Sequence, residues 1–282
     1  MTVASQEGAP VGVHQARVDE FFESEAGFWN QVYSEHDVFA QIHQERLRIA
    51  VGWIEGLALE RGASVLDAGA GAGVATVALA RRGLAVTAVD PADAMIAEIR
   101  QQARAAGAER LIVARRGDVH MLPFADATFE AVISLGVIPW LHSPRRALTE
   151  LVRVLRPGGW LVVNCDNRAR LHLMLDPWFW PPVASLRRSL RRVARSDPHQ
   201  SVRATTHFRR QFQGLLQEAG LEIVEGRMFG FGPFTVAGCG ALPHGAGRWA
   251  DRQLSRLSEA GVPIFRSTGS QYIALCRRPF SE

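Results

Sequence analysis

Residues 64–73 read SVLDAGAGAG, and their reading decides the fold. The short apolar run Val65-Leu66 ends in an acid, Asp67, and passes at once into Ala68-Gly69-Ala70-Gly71-Ala72-Gly73. The next ten residues, VATVALARRG, have a helical pattern that stops at Gly83. Strand, glycine-rich turn and helix in this order let backbone N–H groups approach a ligand that side chains would block. The spacing is G-x-G-x-G, whereas dinucleotide turns use G-x-G-x-x-G. Asp67 stands two residues before the first glycine, where it repels a pyrophosphate and welcomes the ammonium of an amino-acid-bearing ligand.

Working outward, the alternation continues. AVTAVD reads as a strand, ADAMIAEIRQQARAAG as a helix and LIVARRGD as a strand. FEAVISLG is the next strand, SPRRALTELVRVLRPGG a helix with its stop, and WLVVNCDN a strand. Strands alternating with helices of this length imply a parallel sheet with ligands at the carboxyl ends of its strands. Upstream, residues 1–15 read as a disordered lead and 16–58 as a helical cover rich in aromatics. After Asn167 the rhythm breaks over 168–206, an insertion holding LDPWFWPPV and the arginine-rich SLRRSLRRVAR. Helix FRRQFQGLLQEAG, strand LEIVEGRMFGF, a Gly/Pro loop over 230–247, helix RWADRQLSRLSEAG and strand SQYIALCRR follow. The expected domain is 59–282, interrupted by that insertion.

Two further acids belong to the same end of the sheet. Asp90 closes the second strand about 20 residues beyond the glycine turn, where an acid accepts from ribose hydroxyls. Asp118 in Gly117-Asp118-Val119 closes the third, placed to accept from an exocyclic adenine amine while Val119 covers the ring. With Asp67, the three describe an adenosine attached to an amino acid.

VLDAGAGAG, AVD, GDVHMLPF, FEAVISLGVIPWLHSP and LTELVRVLRPGG together resemble the successive motifs of class I S-adenosylmethionine-dependent methyltransferases, small-molecule ubiquinone/menaquinone type. The likeness covers about residues 60–165. It implies a doubly wound, Rossmann-like α/β fold: a seven-stranded, mostly parallel sheet whose last strand, SQYIALCRR, runs antiparallel, with an N-terminal helical cover and an inserted lid. It also implies S-adenosylmethionine as cofactor, with Asp67, Gly69, Gly71 and Gly73 at the methionyl end, Asp90 at the ribose, and Asp118 with Val119 at the adenine. Ala68, Pro91, Met95 and Leu135, which flank these motifs, complete the expected cofactor wall.

Composition narrows the chemistry. All 32 Lys+Arg residues of the 282 are arginine, so mechanisms that need a lysine (Schiff base, pyridoxal anchor, Walker A) are excluded. The net charge of +4 includes 28 interspersed acids, and no basic arm stands alone, so no nucleic-acid partner is expected. Nor does the chain carry the Asn/Asp-Pro-Pro-aromatic run of base methylation or the paired glutamates of arginine methylation; SLGVIPW occupies that region. Three scattered cysteines argue against disulfides and metal, and no apolar run approaches the roughly 20 residues of a membrane span. The expectation is a cytoplasmic protein with a small-molecule substrate.

An oxygen or activated-carbon nucleophile benefits from a base near neutrality. Histidines at element ends are the candidates, His142 foremost, then His120, His36 and His207, with Tyr33 as a second catalytic candidate. The position two residues before His142, where the family often has histidine, is Trp140 here. Substrate contacts are expected from Trp29 and Tyr33 in the cover, Trp140 after the fourth strand, Trp178 and Phe179 in the insertion, and Phe231 in the glycine loop. Three successive aromatics, Trp178-Phe179-Trp180, cannot all face one core, which suggests a lid over an apolar or aromatic acceptor. Arg187, Arg188, Arg191, Arg192 and Arg195 share one helical face, read as solvated rather than membrane-bound.

Overall fold

The computed structural model describes residues 11–24, 29, 32–33, 35–183, 204–237 and 239–280. Helix α1 (Val11–Ser24) begins ahead of the expected boundary at Ala16. Most of the expected disordered lead (1–10), residues 184–203 of the insertion with their arginine-rich face, and Phe28 of the cover lie outside the described residues. Helix α2 (Val38–Gly56) starts at Asp37, whose carboxylate accepts from the Ala40 N–H at 2.7 Å.

Five parallel strands then follow with their crossovers: β1 (Ser64–Ala68), α3 (Val74–Ala80), β2 (Ala85–Asp90), α4 (Asp93–Ala105), β3 (Ile112–Arg116), β4 (Phe129–Ser134), α5 (Pro144–Val154) and β5 (Leu155–Asp166). Short helix α6 (Leu171–Leu175) opens the insertion. It is followed by α7 (Arg209–Glu218), β6 (Glu222–Phe229), the hairpin β7 (Thr235–Val236) with β8 (Cys239–Gly240), α8 (His244–Glu259), α9 (Phe265–Thr268) and β9 (Gln271–Arg277). The sheet order is β3-β2-β1-β4-β5-β9-β6, with β9 antiparallel to both neighbours, as the family resemblance implies.

Period-two alternation assigns the two faces of the sheet. Val65, Val86, Ile133 and Ile273 turn toward a core shared with α2, α3 and α4. Leu66, Val89, Val132 and Val163 turn to the other core, closed by Leu148 and Leu151 of α5 and Phe212 and Leu216 of α7. β1 connects toward β2 on one side while β4 lies on its other, so the chain reverses direction beside β1. In an open α/β sheet the ligand crevice lies outside the strand ends at that switch point.

Two local expectations are corrected. The helix before β5 ends at Val154 rather than at the glycines, and Arg156-Pro157 is already extended, because proline disfavours helix at itself and at the residue before it. The segment 230–247 contains the small β7–β8 hairpin.

Candidate active site

A cavity of about 460 Å³ opens at the carboxyl ends of the strands, and most of the residues singled out from the sequence meet there. Gly69, Gly71, Asp67, Asp90, Pro91, Met95, Asp118, Val119 and Leu135 all line it. The glycine turn is held from behind: the Gly69 and Ala70 N–H groups donate to the Val89 carbonyl at 2.8 and 3.0 Å. Gly69 has φ +75, and a Cβ there would run into the Val137 side chain, whereas Gly71, at φ +52, faces open space.

Each acid has a distinct environment. Asp67, 2% exposed, accepts the Thr76 hydroxyl at 2.6 Å. Burial, helped by the charge of Asp90, pushes its pKa up to about 7 despite that bond. Asp90 accepts from Gly71 N–H at 2.9 Å through Oδ2 and from Ala92 N–H at 3.0 Å through Oδ1, so it braces the turn and its own helix start together. Burial raises it to about 6. Asp118 takes the backbone N–H and ring Nδ1 of His120 on one oxygen, at 2.8 and 2.7 Å, which holds its carboxyl below the ordinary range. Its Oδ2 has no partner among the described residues.

The opposite chemistry comes from the cover. Trp29 and Tyr33 line the cavity together with Val18 and Phe22 of α1, Trp140 after β4, and Phe39, Ile42, His43 and Arg46 of α2. Arg46 is 6% exposed and makes no ion pair among the described residues. Its Nη2 donates to the Tyr33 hydroxyl at 3.2 Å, and its buried Nε has no partner. The guanidinium rests against Gly136, where a Cβ would stand 2.7 Å from Nη1. A buried cation left unsatisfied beside an acidic, glycine-lined wall can take a ligand carboxylate. Cation, acids and open turn therefore fit an adenosyl amino acid. A further polar end is formed by the Asp166–Arg170 pair (2.6 Å), Ser270 and Gln271.

Several expected residues lie elsewhere. Ala68 is fully buried in β1, its carbonyl accepting from Ser134 Oγ at 3.0 Å, and Gly73 packs on Ile99 at the start of α3. Phe231, 1% exposed, is a core residue: its ring meets Phe265 edge-on at 5.7 Å and its N–H donates to Asp251 at 2.6 Å. His142 does not line the cavity; its ring stacks on His120 at 3.8 Å and its Nδ1 lies 3.1 Å from Gln15 Oε1. His120, His36 and His207 do not line it either. Trp178 and Phe179 form a half-buried 3-10 turn anchored by Asp176 and contribute nothing to the lining, while Trp180 is 47% exposed.

The sequence reading missed His43 and Arg46. Their signal was a histidine and an arginine inside the apolar stripe Phe39, Ile42, His43, Arg46, spaced i, i+3, i+4, i+7. Among the described residues no group of three or more His, Cys, Asp or Glu is placed to hold a metal ion, and no helix is long and apolar enough to cross a membrane.

Residues 66–163 match the methyltransferase-domain family, and that match, together with this fold and site, supports a class I S-adenosylmethionine-dependent methyltransferase. A ubiquinone biosynthesis O-methyltransferase from Paracidovorax citrulli is 29% identical over 156 residues, covering 55% of this chain and 63% of that one. The chain thus spans less than two thirds of the length of the curated relatives it matches. Magnesium protoporphyrin IX methyltransferase from Synechocystis, solved with S-adenosylhomocysteine, shares the fold with TM-score 0.63, 19% identity and coverage of 94% and 99%. A 4+2 cyclase shares it equally, with TM-score 0.63, 19% identity and coverage of 95% and 97%.

Proposed function

We propose that the protein transfers a methyl group from S-adenosylmethionine to a hydroxyl of a small, largely apolar or aromatic acceptor. One observation carries the reading: a single cavity is walled both by the glycine turn with its acids and by Trp29, Tyr33, Phe39 and Trp140. In this reading Asp90 holds the ribose, the free Oδ2 of Asp118 the adenine amine, Asp67 and the Gly69–Gly71 turn the ammonium end, and Arg46 the carboxylate. The cofactor supplies an already activated methyl on a sulfonium. The protein's part is to hold the acceptor oxygen in line with it and to exclude water, an alignment worth roughly 7–11 kcal/mol. The relative named for O-methylation supports the choice of oxygen. Methylation at carbon or nitrogen, or cofactor binding without transfer, are the competing outcomes.

Calorimetric titration with S-adenosylmethionine, S-adenosylhomocysteine and NAD, on wild type and Asp90→Ala, tests the cofactor half. Binding of the first two, lost in the variant and absent for NAD, is expected. Incubation with methyl-labelled cofactor and a set of phenols and quinols tests the transfer. Tight binding with no label in any acceptor, carbon and nitrogen compounds included, would refute methyl transfer.

A further inference from the structure

We infer that His43 is the group that receives the acceptor's hydroxyl proton, so that the site selects substrates carrying a hydroxyl on an apolar or aromatic body. This rests on the methyl-transfer reading above.

The imidazole is locked in one tautomer. Its Nδ1 lies 2.9 Å from the Phe39 carbonyl one turn back on α2, and a carbonyl can only accept, so Nδ1 carries the proton. Nε2 is then a lone pair on the ring edge that points away from the helix backbone. Nothing among the described residues donates to it, although His43 is 5% exposed and lines the cavity. The ring cannot turn over without losing the Phe39 bond. It is also wedged among Phe39 (centroids 4.3 Å), Trp29 (5.8 Å) and Tyr33 (6.4 Å). Burial and the Arg46 guanidinium one turn further on lower its pKa to about 3, so it stays a neutral acceptor through the physiological range.

Which donor belongs there follows from the surroundings. Nε2 needs an O–H or N–H donor, and the ring faces of Phe39, Trp29 and Tyr33 around it leave a strongly hydrated ammonium poorly solvated. A phenolic or alcoholic O–H on an apolar frame satisfies both conditions. In the transfer step the hydroxyl oxygen bonds to the methyl carbon as the carbon–sulfur bond breaks, leaving a neutral thioether. The hydroxyl proton passes to Nε2. Positive charge disappears from sulfur as it arrives on the imidazole, so the cavity holds the same number of cations before and after. A histidine that is a poor base in the resting site therefore takes a proton without a net gain of charge beside Arg46. The rings of Trp29, Tyr33 and Phe39 fix the acceptor's body, and His43 fixes its reacting edge.

The test uses full-length protein labelled with ¹⁵N-histidine and saturated with S-adenosylhomocysteine, with the His43 signals assigned by their loss in His43→Gln. Nε2 should appear as an unprotonated nitrogen, move on titration with phenol, and stay unmoved by anisole, which has the same ring without the proton. No movement with phenol, or equal movement with anisole, overturns the proposal. On any phenol that accepts methyl, His43→Gln and His43→Ala should lower kcat about a hundredfold or more and make it climb with pH toward the phenol's own pKa, with S-adenosylhomocysteine binding unchanged. Unaltered kcat in a folded variant overturns it as well. The two readings fail separately: methyl transfer with Nε2 unmoved by phenol removes only the His43 role. Phenol-shifted Nε2 in a protein that methylates nothing removes methyl transfer and leaves a hydroxyl-binding site.

Discussion

Replacing Gly69 and Gly71 by alanine, one at a time, separates what the turn does for the fold from what it does for the ligand. Both residues have positive φ, +75 and +52, where a side chain costs about 1–2 kcal/mol. At Gly69 the new Cβ also collides with Val137, adding overpacking of roughly 1–3 kcal/mol. Gly69→Ala should therefore lose about 2–5 kcal/mol of stability and Gly71→Ala only about 1–2. At about 2–4 °C per kcal/mol for a domain of this size, Gly71→Ala should melt only a few degrees below wild type, and Gly69→Ala lower still. Ligand binding should rank the other way. The Gly71 methyl projects into the cavity beside the N–H that donates to Asp90, so S-adenosylhomocysteine binding should be lost in a protein that remains folded. Thermal or urea unfolding read by circular dichroism, paired with calorimetry, measures both quantities. Unimpaired binding in Gly71→Ala, or equal destabilisation by the two substitutions, would refute the assignment of open space above Gly71 to the cofactor.

Arg46→Met removes the buried guanidinium while keeping a side chain of similar length. It should weaken S-adenosylhomocysteine by about 2–5 kcal/mol, the usual cost of truncating one partner of a buried charge pair. It should leave methylthioadenosine, which has no amino-acid end, bound as before; parallel losses for both ligands would contradict the role proposed for Arg46. The ligand-free protein should also gain stability as pH falls from about 8 toward neutrality, because carboxyls with raised folded-state pKa bind protons more readily folded than unfolded. Asp67 (about 7) and Asp90 (about 6) supply that gain, which is complete only below the ordinary carboxylate value. Below the ordinary histidine value, His43, His172 and His207, all lowered by burial, oppose it. Asp67→Asn should flatten the rise above neutrality; denaturant titrations at a series of pH values that show no difference would contradict it.

The half of the cavity walled by the glycine turn and its acids was legible because its signals are local. Asp67, Asp90 and Asp118 each follow directly from where a strand stops, and strand periodicity reveals that position without tertiary information. The aromatic half depends on contacts between distant segments. Phe231 sits in a glycine- and proline-rich stretch that reads as exposed lining. Asp251 on α8 instead accepts from the Phe231 and Gly232 N–H groups at 2.6 and 3.4 Å and draws the loop inward. His142 reads as a histidine starting a helix near the strand ends, but it stacks on His120, which Asp118 holds in place. His43 and Arg46 occupy the face of α2 that a pattern of spacing assigns to the core. Whether such a face meets packed side chains or a cavity is decided by the sheet beneath it, not by the helix.

The position of β9 has a consequence for biosynthesis. This strand, the latest of the sheet in sequence, lies between β5 and β6. As the chain leaves the ribosome, β1 to β5 can assemble in order, and the glycine turn with its acids is complete more than a hundred residues before Gln271 emerges. Throughout that interval β5, buried on both faces through Leu161, Val162 and Val163, presents an unpaired hydrogen-bonding edge. Antiparallel insertion of β9 seals it, and the same step delivers Ser270 and Gln271 to the cavity wall. A nascent chain thus has its glycine-turn wall early, and the last strand closes both the aggregation-prone edge and the cavity.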